Sequence, residues 1–134
     1  MATDRIILDS GALSAFSAEK GPIRITLRKA ILAGAQIVLP APVIAEATTG
    51  DAGRDAQVNQ VIKACEVLAL DESLARAAGS LRYRKRSAGT IDAMVVACAD
   101  SVPGSVIITG DVRDLTPLVS ERGLSRVIDL NIAR

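Results

Sequence analysis

Short apolar runs alternate with longer amphipathic stretches along this chain, which predicts strands separated by helices. Strands are expected at Arg5–Leu8, Gln36–Leu39, Glu66–Leu70, Ser105–Thr109 and Arg126–Leu130. The first four are near-continuous apolar runs, the pattern of strands covered on both faces. Helices are expected between them, at Ser10–Ser17, Pro22–Gly34, Pro42–Thr49, Arg54–Cys65, Asp71–Lys85, Ile91–Asp100 and Asp114–Glu121. Proline stands at the start of two of these, and Gly34 and Gly123 mark two ends. Asp71 and Glu72 suit a helix N-terminus, and Thr90 is an N-cap candidate. Gly50-Asp51-Ala52-Gly53 reads as a loop rather than a domain boundary, and the chain shows no repeat and no low-complexity segment.

Strands that alternate with helices point to a parallel α/β sheet flanked by helices. Ligands bind such sheets beyond the carboxyl ends of the strands, where strand order reverses. Asp9 closes the first strand and Asp111 follows the fourth. If the five strands take the order 3-2-1-4-5, these two acids become neighbours at that crevice.

Composition narrows the chemistry. The 134 residues are one domain of ordinary size, residues 1–134, large enough to bury a core. Phe16 and Tyr83 are the only aromatic residues, so the core has to be built from Ala, Val, Leu and Ile. So few rings also argue against an extended stacking platform for single strands. A net charge of +1 gives no global footprint for nucleic acid, and any such binding has to come from local patches. Cys65 and Cys98 lie in apolar helical segments and read as small buried hydrophobes, in keeping with a reducing cytoplasm. No apolar stretch reaches the length of a membrane span, and Asp4 and Asp9 interrupt the short apolar run near the start, so neither a membrane segment nor a signal peptide is expected.

The chain contains no histidine. That removes the Ser-His-Asp triad, the Cys-His pair and His-ligated zinc together. Acids remain, and four of them sit in apolar settings: Asp9, Glu46, Asp92 and Asp111. A carboxylate near a core costs several kcal/mol unless something compensates it. A hard divalent cation with oxygen ligands is the strongest compensation. Each acid also has a plain structural use. Asp9 can cap the helix that Ser10 begins, Asp92 can complement its own helix dipole, and Asp111 can serve a turn after Gly110. The helical wheel leaves the burial of Glu46 open. Val95, Val96 and Ala99 share the face of Asp92, so its neighbours are core-like.

Four segments, taken in order, resemble the PIN domain family, and specifically the VapC-type ribonuclease toxins of type II toxin–antitoxin systems. They are Ile7-Leu8-Asp9-Ser10-Gly11-Ala12-Leu13, Pro40-Ala41-Pro42-Val43-Ile44-Ala45-Glu46, Gly89-Thr90-Ile91-Asp92-Ala93-Met94-Val95-Val96-Ala97 and Ile107-Ile108-Thr109-Gly110-Asp111-Val112-Arg113-Asp114-Leu115. The resemblance covers nearly the whole chain. Leu115 stands where many relatives carry phenylalanine. The resemblance implies a metal-dependent endoribonuclease in the cytoplasm, in which Asp9, Asp92 and Asp111 hold Mg²⁺ or Mn²⁺. Glu46 is then a further ligand or orients the attacking water. Asp114 belongs to an outer ring of the site or only caps the helix it begins. Ser10 and Thr109 are candidates for hydrogen bonds within the site. The resemblance also implies a small antitoxin partner and a homodimer. The basic run Arg82, Arg84, Lys85 and Arg86 is the best local candidate for RNA phosphates, set against a solvated helix end. Arg24, Arg28 and Lys29 form a second basic stripe that reads better as helical surface.

Two rivals remain at this level. One is an Asp-based phosphoryl-transfer domain, but no second aspartate stands two positions after Asp9 and no lysine follows the fourth strand. The other is a non-catalytic binding module on the same scaffold, against which the four retained acids count. Nucleotide-binding glycine motifs are absent.

Overall fold

The computed structural model describes residues 4–18, 22–86 and 88–130. Its elements in chain order are β1 (Arg5–Leu8), α1 (Ser10–Ser17), α2 (Pro22–Leu32), β2 (Gln36–Pro40), α3 (Ala41–Ala47), α4 (Ala56–Ala64), β3 (Glu66–Leu68), α5 (Glu72–Arg84), α6 (Thr90–Asp100), β4 (Val106–Thr109), α7 (Val112–Ser120) and β5 (Arg126–Asp129). The five strands form one parallel sheet in the order β3-β2-β1-β4-β5. Strand order therefore reverses between β1 and β4, as the placement of the acids requires.

The central strands are covered on both faces. Ile7 and Leu8 are consecutive and fully buried, and all four residues of β4 are buried. Helices α1 and α6 pack against both β1 and β4. Phe16, Leu13, Val43, Val95, Val96, Leu115 and Leu118 complete a core that is aliphatic except for one ring. The third strand departs from expectation. Glu66 and Val67 are exposed and only Leu68 is half-buried, because β3 is the outermost strand and pairs on one side alone. An apolar run does not reveal which strand lies at an edge.

Several boundaries also move. The last helix begins at Val112 rather than Asp114, and α6 begins at Thr90 with Gly89 in the capping position, so Thr90 is not the cap. Gly34 does end its helix, at φ 93, a left-handed conformation that only glycine adopts cheaply. Cys98 is buried and Cys65 half-buried, and burial pushes both thiols up to about 11, so neither is a reactive thiolate. Among the described residues no helix is long and apolar enough to cross a membrane.

Candidate metal centre

Asp9 is the first residue beyond β1 and caps α1. Its Oδ1 accepts the Ala12 N–H at 2.8 Å, and its residue exposure is only 6%. The capping use and the site use are therefore not alternatives, because each carboxylate oxygen has its own partner. Oδ2 accepts a hydrogen bond from the hydroxyl of Thr109, the last residue of the neighbouring strand β4. The same Thr109 oxygen accepts the backbone N–H of Asp111 at 2.8 Å. Register explains the meeting: Leu8 pairs with Ile108, so Asp9 and Thr109 leave the sheet side by side. Thr109 is fully buried and ties the two acids to one rigid edge.

Asp92 reaches this edge from α6, which packs against β1 and β4 and carries the acid in its first turn. Its helix neighbours Val95, Val96 and Ala99 are all buried, as the wheel implied. Asp111 occupies the capping position of α7, and its carboxylate interacts with the side chain and the backbone N–H of Asp114. Asp114 lies in the first turn of α7, not at its cap. Carboxylate oxygens of Asp92, Asp111 and Asp114 all come within 4.8 Å of one another. This trio includes Asp114, which sequence reasoning placed at the margin. The available signal was the spacing of Asp111 and Asp114, since residues three apart share one helix face. Glu46, on α3, is exposed, yet its charge acts on both Asp9 and Asp92.

The electrostatics are those of crowded acids. Burial lifts Asp92 to about 6, and the charges of Asp111, Asp114, Asp9 and Glu46 add to the effect. Burial also raises Asp9, against the lowering hydrogen bonds from Thr109 and Ala12. Asp111 is raised by desolvation and by the side-chain hydrogen bond and charge of Asp114, while the Asp114 backbone N–H and Arg113 offset part of this. Two further buried acids lie outside the cluster. Asp55 is desolvated, but hydrogen bonds from the side chain and backbone of Thr49 and from the Gly50 N–H outweigh that cost and hold it below the ordinary value. Asp100 accepts the Ser125 hydroxyl at 2.8 Å on one oxygen, and its other oxygen is buried without a partner. Asp55 shows how this fold satisfies a buried carboxylate with its own donors. The trio instead faces like charges, and only oxygen donors converge there, which fits a hard cation. Oxygens on opposite sides of Mg²⁺ lie about 4 Å apart at a metal–oxygen distance of about 2.1 Å.

Other expected residues are placed as follows. Ser10 opens α1 half-buried, and its hydroxyl makes no hydrogen bond among the described residues. Arg82 and Arg84 lie on the last turn of α5 and Lys85 and Arg86 follow it. The charges that raise Asp92 are those of Asp111, Asp114, Asp9 and Glu46. Arg84 and Lys85 reach Glu121 at 3.7 and 3.4 Å. Arg28 and Lys29 are exposed on α2, as helical surface should be, and the Arg24 side chain lies outside the described residues.

The Thr109 bridge carries a prediction. Thr109→Val keeps the shape but removes both bonds, leaving the Asp111 N–H without its acceptor and Asp9 without its donor. Mn²⁺ affinity by calorimetric titration is expected to fall about 10- to 100-fold, and stability by about 1–3 kcal/mol. Thr109→Ser should restore both. Unchanged Mn²⁺ affinity in the valine variant would remove Thr109 from the site.

Comparison with known proteins bears on the family and the fold. The model of the PIN domain matches residues 6–115. No curated protein sequence matches the chain. Among solved structures, the chain is similar to one in the VapBC2 complex of Rickettsia felis bound to a promoter DNA fragment, with TM-score 0.75, 12% identity, and coverage of 93% of this chain and 99% of that one. It is similar to a chain of DNA-bound VapBC from Salmonella typhimurium, with TM-score 0.71, 22% identity and coverage of 95% and 98%. A chain of FitAcB from Neisseria gonorrhoeae aligns with TM-score 0.64, 17% identity and coverage of 92% and 96%. At these identities the likeness establishes the fold.

Proposed function

Because the chain belongs to the PIN domain family, we propose that it is a divalent-metal-dependent endoribonuclease, acting over residues 1–134 as a single domain and as the toxin of a toxin–antitoxin pair. The observation that carries this reading is the convergence of the Asp92, Asp111 and Asp114 carboxylates within 4.8 Å at the reversal point of the sheet. Asp92, Asp111 and Asp114 would hold Mg²⁺ or Mn²⁺, with Asp9 as a fourth ligand, direct or through water. When bound, the ion supplies an activated water and neutralises charge on the phosphodiester. Asp9 is fixed by its two hydrogen bonds and so presents its charge at a constant position. Glu46, exposed at the rim, orients water or accepts its proton. The aliphatic packing behind Asp9 and Asp92 keeps bulk water from that side of the cluster.

The partner assignment follows the likeness to VapBC and FitAB complexes, three of which were solved with DNA. That likeness supports an antitoxin partner; the homodimer and the cytoplasmic setting are proposed with the toxin reading. A short neighbouring reading frame encoding a DNA-binding protein is the expected genetic context. The test is sequencing of RNA 5′ ends after induced expression, with an Asp92→Asn strain as control. New ends at defined sites in the wild-type strain alone support the reading. Identical end profiles in the two strains would refute it.

A further inference from the structure

The basic run splits in two. Arg84 and Lys85 turn to Glu121, whereas Arg82 and Arg86 line an open cavity of about 420 Å³ with Tyr83 and Gly79. Tyr83 is 71% exposed, and the Arg86 guanidinium lies over its ring at 5.1 Å from the centroid. A guanidinium on one ring face leaves the other face as a flat aromatic surface, and neither Arg82 nor Arg86 makes an ion pair among the described residues. Gly79 forms part of the wall. It sits inside α5, where glycine costs about 1 kcal/mol relative to alanine. No tight packing asks for it: a Cβ there would meet nothing within 4 Å, and its φ is not positive. The glycine thus has no local structural reason, and its effect is to keep the hollow open beside Tyr83.

Resting on the ribonuclease reading above, we propose that Arg82, Tyr83 and Arg86 form a subsite for one nucleotide of the RNA substrate, with the base against Tyr83 and the flanking phosphates on the two guanidiniums. The acidic cluster repels a phosphodiester until metal neutralises it, so part of the affinity has to come from elsewhere. Arg86 precedes Asp92 by six residues, a chain length of at most about 20 Å, so one strand of a few nucleotides spans both. One ring serves one base, which is consistent with a chain too poor in aromatics for an extended platform.

The test is anisotropy of a fluorescein-labelled single-stranded RNA against KCl concentration, on the full chain carrying Asp92→Asn so that nothing is cut. Arg82→Gln with Arg86→Gln is expected to flatten the slope of log affinity against log salt by about 1.4, at ~0.7 per lost contact. Arg84→Gln with Lys85→Gln should leave the slope unchanged. Gly79→Leu fills the hollow without removing a charge, and should weaken binding roughly tenfold at constant slope, with helicity by circular dichroism retained. Tyr83→Ala should weaken binding similarly and Tyr83→Phe should not, while on an abasic oligonucleotide the two should bind alike. Equal flattening by both pairs, no effect of Gly79→Leu, or absence of RNA binding would each overturn the subsite. So would a polyglutamate peptide that displaces RNA with the same variant pattern, which would assign the hollow to an acidic protein. Cleavage by the wild-type chain is assayed separately. Cleavage with an unaltered slope rejects the subsite alone, and the expected slopes without cleavage reject the nuclease alone.

Discussion

Asp92→Asn is expected to reduce metal-dependent RNA cleavage by at least about a thousandfold and, in metal-free buffer above pH 6, to raise the melting temperature. Loss of a ligand that helps hold a Lewis acid removes several kcal/mol from transition-state stabilisation, at about 1.4 kcal/mol per tenfold. The stability effect has the opposite sign because the acid is crowded. Its folded-state value of about 6 lies above the ordinary 3.8, so the folded, metal-free protein holds this proton more tightly than the unfolded chain. That stabilisation is fully present below about pH 4 and is lost as pH rises through about 6. Above that range the ionised carboxylate weakens the fold, by about 1 kcal/mol after allowance for solvent screening, and asparagine removes the cost. A gain of a few degrees at pH 7.5 that vanishes at pH 4 is the expected signature. Saturating Mg²⁺ should reverse the order, stabilising the wild type more than the variant. A variant that is less stable than wild type in metal-free buffer at pH 7.5 would show that Asp92 plays an ordinary structural part in its helix.

Asp111→Asn and Asp114→Asn form the second pair. Asp111 leaves the rigid end of β4, held by the Thr109 hydroxyl through its own N–H, and should be the more sensitive of the two. Its replacement is expected to lower cleavage by about a hundredfold or more. Asp114 stands one turn into α7 with its carboxylate in the same trio, so Asp114→Asn should cost about 10- to 100-fold. Asp114 does not cap its helix, so Asp114→Ala should cost only the few tenths of a kcal/mol that an acid contributes to the dipole of a first turn. Measured kcat values and thermal melts of the three variants distinguish a ligand from a cap. Full activity in Asp114→Asn together with a stability loss near 1 kcal/mol in Asp114→Ala would return this residue to a structural role.

The sheet was readable because its inner strands are near-continuous apolar runs separated by helical spacing and proline or glycine punctuation. The expected order 3-2-1-4-5, which makes neighbours of Asp9 and Asp111, is the order observed, with β1 pairing with both β2 and β4. Edge exposure was not readable, since the run Val67-Leu68-Ala69-Leu70 is as apolar on paper as an inner strand and only its place in the sheet leaves β3 uncovered. In the cluster, Asp9, Asp92 and Asp111 were visible from apolar context. Asp114 was left between an outer place in the site and a cap because the expected start of α7 lies two residues late. The burial of Asp55 and Asp100 was hidden for a different reason. Asp55 is buried by the turn that its own carboxylate organises around Thr49 and Gly50, and Asp100 by Ser125 from a distant segment. Neither contact leaves a periodic trace. The division of the basic run was equally invisible, because it depends on Glu121 at the far end of another helix.

The rate of cleavage of a single-stranded RNA, followed as free Mg²⁺ is raised from a chelated baseline to millimolar concentration, tests the central claim most directly. A rate at background in chelator that climbs to saturation with Mg²⁺, and that Asp92→Asn abolishes at every concentration, is the predicted result. A rate independent of Mg²⁺ would contradict the acidic cluster as a metal centre.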